Sequence, residues 1–317
     1  MRRQKLGLHL LLISATFWAT FACSGGEQEA GTTGTSMGNL GSGGSANGAS
    51  SSGGTGSSLL GPTAMAGSGN SARACGPGLP LFPAGSPFNT RINAAPLDAE
   101  SDAIIAYLSN NHTADARFQV DFSLTILNAN AQTPRLAFTP SEDHYSPDCD
   151  LAAPPVPVDG MLEGEDGYQC TSDGDCHLIV VESDECKLYE MWRANIVGDE
   201  FAGGCLAVWD LDRVYPLEGR GEYCTSADAA GFPIAALTFS ADEVAAGAIE
   251  HAIRFILPND LIRSDVYVHP GTHSTLATSG PGDAPPYAVR MRLKADADLS
   301  GLTAGAQVVA RALQQYG

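Results

Sequence analysis

From Ser24 to about Arg73 the chain is Gly, Ser, Thr, Ala and Asn with almost no bulky residues. That tract decides where a fold can form. It cannot bury enough apolar surface to offset the conformational entropy of ordering it, so it is expected to be a disordered linker. Fifty such residues have a root-mean-square reach of roughly 40 Å. Folding is confined to residues 75–317, a length that suits one sizeable core.

Ahead of the tract, Arg2, Arg3 and Lys5 precede an apolar run from Leu6 to Phe21. The run is short for a membrane span and has the layout of a secretory signal over residues 1–22. It ends in "TFAC", small residues directly before Cys23. This resembles the lipobox of bacterial lipoproteins, with Thr20 standing where Leu is usual. The resemblance implies lipidation of Cys23, and Ser24 after it implies sorting to the outer membrane. An ordinary cleaved signal, giving a secreted protein, is the alternative. The expected organisation is a signal peptide (1–22), a lipidated cysteine with its tether (23–74) and a folded domain (75–317).

The formal charge is −19, and without Arg2, Arg3 and Lys5 it becomes −22, 14 basic against 36 acidic residues. A surface this acidic repels nucleic acid and anionic headgroups, which removes nucleic-acid binding from consideration. Of eight cysteines, seven follow Cys23: Cys75, Cys149, Cys170, Cys176, Cys186, Cys205 and Cys224. In an exported chain they read as disulfides. Cys170 and Cys176 bracket "TSDGD" and are placed to close a small loop. The odd count predicts one cysteine left free or shared with a second chain.

Within the domain, "AESDAIIAYLSNN" predicts a short helix capped by Ser101. Residues 117–127 alternate as a strand. "HLIVVES" (177–183) and "CKLYEMWRA" (186–194) are β-rich runs separated by Asp184-Glu185, a hairpin, and "GGCLAVWDLD" adds a strand ending near Asp210. Ser240 and Glu243 fit a capping box before a helix that Gly247 ends. "AIEHAIRFIL", "DVYVHPG" and "YAVRMRLKA" read as further strands, and "LTAGAQVVARALQQYG" as a final helix. Many short strands with Pro/Gly connections predict a mainly β domain of sandwich or jelly-roll type, with two or three short helices.

Four constellations bear on chemistry. Counting by twos along the second hairpin strand puts Tyr189, Met191 and Arg193 on one face, Glu190 and Trp192 on the other. A carboxylate beside a Trp on a concave sheet is an arrangement sugar-cleaving sites use: the ring stacks on the sugar and the apolar setting raises the acid's pKa. Among the histidines, His269 and His273 straddle the turn "HPGTH", which lacks the helical face of a zinc motif. His251 with Arg254 fits better the base and cation that a β-eliminating lyase requires. Glu163, Glu165, Asp166, Asp173 and Asp175 concentrate oxygen ligands without EF-hand spacing, so no cofactor is expected, with calcium as the weak alternative. No GxSxG, SxxK or P-loop is present. The connection "EYCTSADAAGFPIA" (222–235) carries Asp228, which either faces the hairpin or caps its own turn.

"SPFNTRI…AAPLD", "GDCHLIVVE…CKLYEMWRA", "TSADAAGFPI", "DEVAAGAIEHAIRF" and "YVHPGTHS" occur in that order. Together they resemble a family of exported bacterial proteins of mostly uncharacterised function. The resemblance covers residues 86–317 and implies a β-sandwich whose recurrent polar positions are Asp175, His177, Glu190, Asp228, His251 and Arg254. This chain departs from the family in its acidic, Cys-bearing loops, and similar chains run on past Tyr316-Gly317. The leading functional expectation is a surface-anchored glycoside hydrolase or polysaccharide lyase acting on extracellular polysaccharide or oligosaccharide. Glu190 and Asp228 would serve as acid and nucleophile or base, supported by His177, His251 and Arg254, with Trp192, Tyr189 and Arg193 binding substrate. The alternatives are a glycan-binding module in which Trp192, Tyr189 and Trp209 form a stacking platform, and a structural or adhesion lipoprotein.

Overall fold

The computed structural model describes Cys75, residues 81–111 and residues 124–317. The signal peptide, Cys23, the Gly/Ser tract and residues 117–123 of the first expected strand lie outside the described residues. Among the described residues seven strands form: β1 (Ile126–Ala129), β2 (Thr139–Pro140), β3 (Leu178–Glu182), β4 (Lys187–Trp192), β5 (Asn195–Val197), β6 (Glu200–Gly203) and β7 (Cys205–Asp210). The helices are α1 (Ser101–Asn111), α2 (Ala241–Ala246) and α3 (Ala304–Gln315). Strands make two open sheets, one ordered β1-β3-β4-β7 and the other β2-β6-β5. Both are mixed, because β1 runs parallel to β3 and β2 parallel to β6, while the remaining pairs are antiparallel.

The hairpin of β3 and β4 is where it is expected, with Leu178 opposite Met191 and Glu182 opposite Lys187. All five residues of β3 are buried. A strand covered on both faces needs apolar side chains at successive positions, which is what "LIVVE" supplies. Ile179, Val181, Leu188, Ala207 and Trp209 face one core together with Phe82, Phe88, Ile234 and Leu237. Leu178, Val180, Tyr189, Met191 and Leu206 face a second core with Phe201 of β6, and Ile196 of β5 packs against it. Each fully buried Val, Leu, Ile, Phe or Met among these stabilises the fold by roughly 1.5–3 kcal/mol relative to an exposed position. The four-stranded sheet thus lies between the three-stranded sheet on one face and irregular segments on the other. The irregular side is where the polar residues gather.

Disulfides pin this arrangement. Cys75 joins Cys186 at the hairpin turn, Cys149 joins Cys205 at the start of β7, and Cys170 closes the six-residue loop to Cys176 as anticipated. Among the described residues no cysteine is free.

Helix signals are largely borne out. Ser240 and Glu243 form a reciprocal capping box on α2, and Gly247 ends it at φ 84°. Ser101, expected as a cap, is instead the first residue of α1. Thr303 caps α3, which packs Val308 and Ala312 against Ile249. Among the described residues no helix is long and apolar enough to cross a membrane.

The C-terminal third differs from expectation. "AIEHAIRFIL", "DVYVHPG" and "YAVRMRLKA" form no strands and run as extended, irregular chain. Their backbone bonds are scattered over unrelated partners: Ala252 to Phe88, Ile253 to Gly317, Arg254 to Leu237, Leu293 to Leu313. Alternation shows that one face is buried, but a strand also needs a neighbour in register. Here each run borders loops and chain ends, so only isolated bridges form, such as Tyr267 with Tyr287.

Candidate functional site

The segments covering the sheet enclose a cavity of about 560 Å³. Trp192 of β4, Phe232 of the Asp228 connection and Tyr287 contribute aromatic wall, and Asp175, His177, Asp228 and Arg254 contribute its polar lining.

The Asp228 connection is built to hold a carboxylate in place. Ser226 Oγ accepts from the Asp228 amide at 3.0 Å and donates to the Phe232 carbonyl at 2.9 Å. Asp228 Oδ1 accepts from the Ala230 amide at 2.9 Å, closing an Asx turn. Its other oxygen, Oδ2, accepts from Arg254 Nε at 2.5 Å. Asp228 therefore caps its own turn, and its second oxygen is held by Arg254. Gly231 follows with φ 80°, and a Cβ there would lie 2.1 Å from Thr272 Oγ1, so only glycine fits the bend. Asp228 is buried, and its charge, outweighing desolvation, is the main reason the Arg254 pKa rises.

His177 stands just before β3. Its Nε2 lies 3.0 Å from the Ala227 carbonyl and its Nδ1 2.5 Å from Glu163 Oε2. A carbonyl only accepts, so Nε2 carries hydrogen, and the carboxylate favours a second hydrogen on Nδ1. Burial pulls the His177 pKa down, but the Glu163 carboxylate and the Ala227 carbonyl more than offset this, and the net shift is upward. Glu163 is the partner that sequence reading did not assign to His177. They are 14 residues apart, and a loop closes the gap.

Glu190 lies beneath this cluster with no exposure. Its oxygens accept the amides of Ile234 and Ala235 at 3.0 and 2.7 Å. Burial pushes its pKa from 4.5 to about 7, the two backbone bonds and His177 oppose the rise, and Asp228 adds to it. The carboxyl senses the site electrostatically and is not among the residues lining the cavity. A pH dependence follows. Because the folded pKa lies above the unfolded one, the contribution of Glu190 to stability is fully present below pH 4.5 and is lost as pH rises through about 7. The loss amounts to roughly 3 kcal/mol well above that pH. Thermal unfolding of wild type and Glu190→Gln across pH 5–9 checks it, the variant lacking this part of the slope. The His177 shift runs in the same direction and is present in both proteins.

Other anticipated site residues are dispersed. His251 is fully buried and bonds the Ala252 carbonyl and Glu243 Oε1, at 2.7 and 3.2 Å, under α2 rather than at the cavity. Tyr189 points into the opposite core, where Arg135 donates to its hydroxyl at 2.8 Å. Trp209 is core, in edge-to-face contact with Phe82 and Tyr215. Arg193 is exposed, stacks over Trp192 at 5.3 Å and pairs with Asp143. Trp192 donates its Nε1 hydrogen to Asp175 Oδ1 at 2.9 Å, so ring and carboxylate are fixed together at the cavity edge. His269 bonds Glu222 while His273 bonds the Ala229 carbonyl, so the two do not converge on a metal.

The acidic loop also divides. Glu165 accepts from the amides and hydroxyls of Thr171 and Ser172, bonds that hold its pKa down to about 2 and staple the Cys170–Cys176 loop. Glu163 and Asp175 instead meet His177, one ligand atom from each falling within 4.8 Å of the others. The five carboxylates expected for calcium therefore do not form one shell. Arg290 was missed altogether: its guanidinium donates to the carbonyls of Tyr316, Pro87 and Thr90, and burial lowers its pKa to about 10. Nothing in the alternation of "YAVRMRLKA" separates it from a solvent-facing arginine.

Comparison with protein-family models, with curated proteins and with solved structures gives no match to this chain, so the site is read from its own geometry.

Proposed function

We propose that this is an exported, lipid-anchored β-sandwich protein that admits a segment of extracellular glycan into the cavity and cleaves it, as a hydrolase or a lyase. One observation carries the reading: Asp228, Arg254 and His177 converge on a single cavity walled by Trp192, Phe232 and Tyr287, with Glu190 coupled from below. A buried carboxylate–arginine pair beside aromatic faces supplies fixed charge and stacking surface together, the combination that sugar chemistry uses. In this role Asp228 is the carboxylate facing substrate, and Glu190 tunes the charge beneath it. Binding without turnover is the second reading. It is favoured by the fact that both Asp228 oxygens and both His177 nitrogens already have partners.

A panel of plant, algal and bacterial polysaccharides, assayed for reducing ends and for unsaturated products, tests the proposal. Wild type should release product from at least one, and Asp228→Asn and Tyr287→Phe should each lower the rate, the first by about 10²–10⁴-fold. Tyr287→Phe removes one hydroxyl that has no hydrogen-bond partner among the described residues, so its stability should match wild type. Binding without product from any polymer would select the non-catalytic reading. Neither binding nor release would overturn both.

A further inference from the structure

Of the two arginines lining this cavity, Arg254 has more donors than the protein uses. Arg254 gives Nε to Asp228, and among the described residues its two terminal nitrogens have no hydrogen-bond partner. Its side chain is 22 % exposed, and it lines the cavity. The Nε bond, on an Asp228 that the Ala230 amide holds, fixes the guanidinium plane. Its remaining edge is a pair of parallel N–H donors with the spacing of a carboxylate.

We infer that the cavity takes its ligand by a carboxylate, that Arg254 is the residue that binds it, and that the substrate class is a uronic-acid-bearing glycan. The inference rests on the glycan reading above and narrows it. Charge sets the limit on the ligand. Asp175 and Asp228 line the cavity, Glu163 is bonded to His177 and Glu190 lies beneath, while the lining arginines are Arg254 and Arg290, the latter already bonded to three backbone carbonyls. A ligand carrying several charges would meet these carboxylates, whereas a single carboxylate meets mainly the guanidinium. Polar lining separates a sugar acid from a simple fatty acid. The second oxygen of Asp175, the Tyr287 hydroxyl and Nε2 of His273 all belong to cavity-lining residues and lack partners among the described residues. An acyl chain would desolvate them unpaired, and sugar hydroxyls would satisfy them.

The test is calorimetric titration with trisaccharides that carry a single galacturonate, guluronate or glucuronate residue, their carboxyl-reduced counterparts, a sulfated trisaccharide and dodecanoate. At least one uronate should bind ten-fold or more tighter than its reduced counterpart. Arg254→Gln should abolish that difference, so that acid and reduced sugar bind about equally. Arg254→Lys keeps the charge and a partner for Asp228, and it should still lose most of the preference because the paired donors are gone. The unfolding temperature of each variant, compared with wild type, guards against misreading an unfolded protein. Equal binding of acid and reduced sugar, unchanged in both variants, would overturn the inference and leave the glycan reading standing. Tighter binding of the sulfated sugar would overturn the carboxylate assignment. Binding of dodecanoate but no glycan would overturn the inference and the glycan reading together.

Discussion

Asp228→Ala is expected to lower the unfolding free energy by about 3–5 kcal/mol, the cost of removing one partner of a buried ion pair. Asp228 Oδ2 and Arg254 Nε are 2.5 Å apart, with side-chain exposures of 7 % and 22 %. The substitution leaves a cation with no counter-charge bonded to it, and the Ala230 amide loses its acceptor. Arg254→Met in the same background should recover much of the loss, because the stranded charge is then gone. Denaturant unfolding of the two single variants and the double gives the coupling directly. A cost below about 1 kcal/mol for Asp228→Ala would mean that the pair is solvated and loose, and Arg254 would not be held ready for a ligand.

The second large effect concerns the link between Cys149 and Cys205, which are 56 residues apart in sequence. Replacing both with serine should cost about 4 kcal/mol on the chain-entropy account of loop closure. The bond ties the Asp148–Asp150 loop to β7, and Asp150 in turn accepts from the Val208 amide at 2.8 Å and from Arg220 at 2.7 Å. Arg220 also donates to the Thr225 carbonyl, in the connection that carries Asp228. The double serine variant should therefore weaken ligand binding as well as stability. Denaturant midpoints under non-reducing conditions measure the first, and titration of the same ligands the second. Unchanged binding with lowered stability would show the site to be independent of this loop.

How much of this was legible in the sequence depends on how local each feature is. The hairpin, the capping box at Ser240 and the final helix are written in neighbouring residues, and all three are present. Alternation along β4 also gave the face on which each side chain lies. Applied strictly, it separates Tyr189 from Glu190, so the two could not serve one cleft, and the structure puts Tyr189 in the opposite core. Asp228, His177 and Arg254 were identified by residue type and come together. His251 was chosen for its proximity in sequence to Arg254, but three residues along an extended chain place it on the far side, under α2. The His177–Glu163 contact and the three carbonyls on Arg290 depend on loops meeting across the fold, which no periodicity encodes. The same reason explains the C-terminal runs, whose alternation is real but whose partners are not strands.

The most direct test is a structure of the protein determined with a bound trisaccharide that carries one uronate residue. The sugar should lie in the cavity against Trp192, Phe232 or Tyr287, with its carboxylate at about 2.7–2.9 Å from the terminal nitrogens of Arg254. A sugar seated elsewhere with the cavity empty, on the exposed Tyr223 that packs edge-on against Tyr267 for example, would overturn the assignment to Arg254.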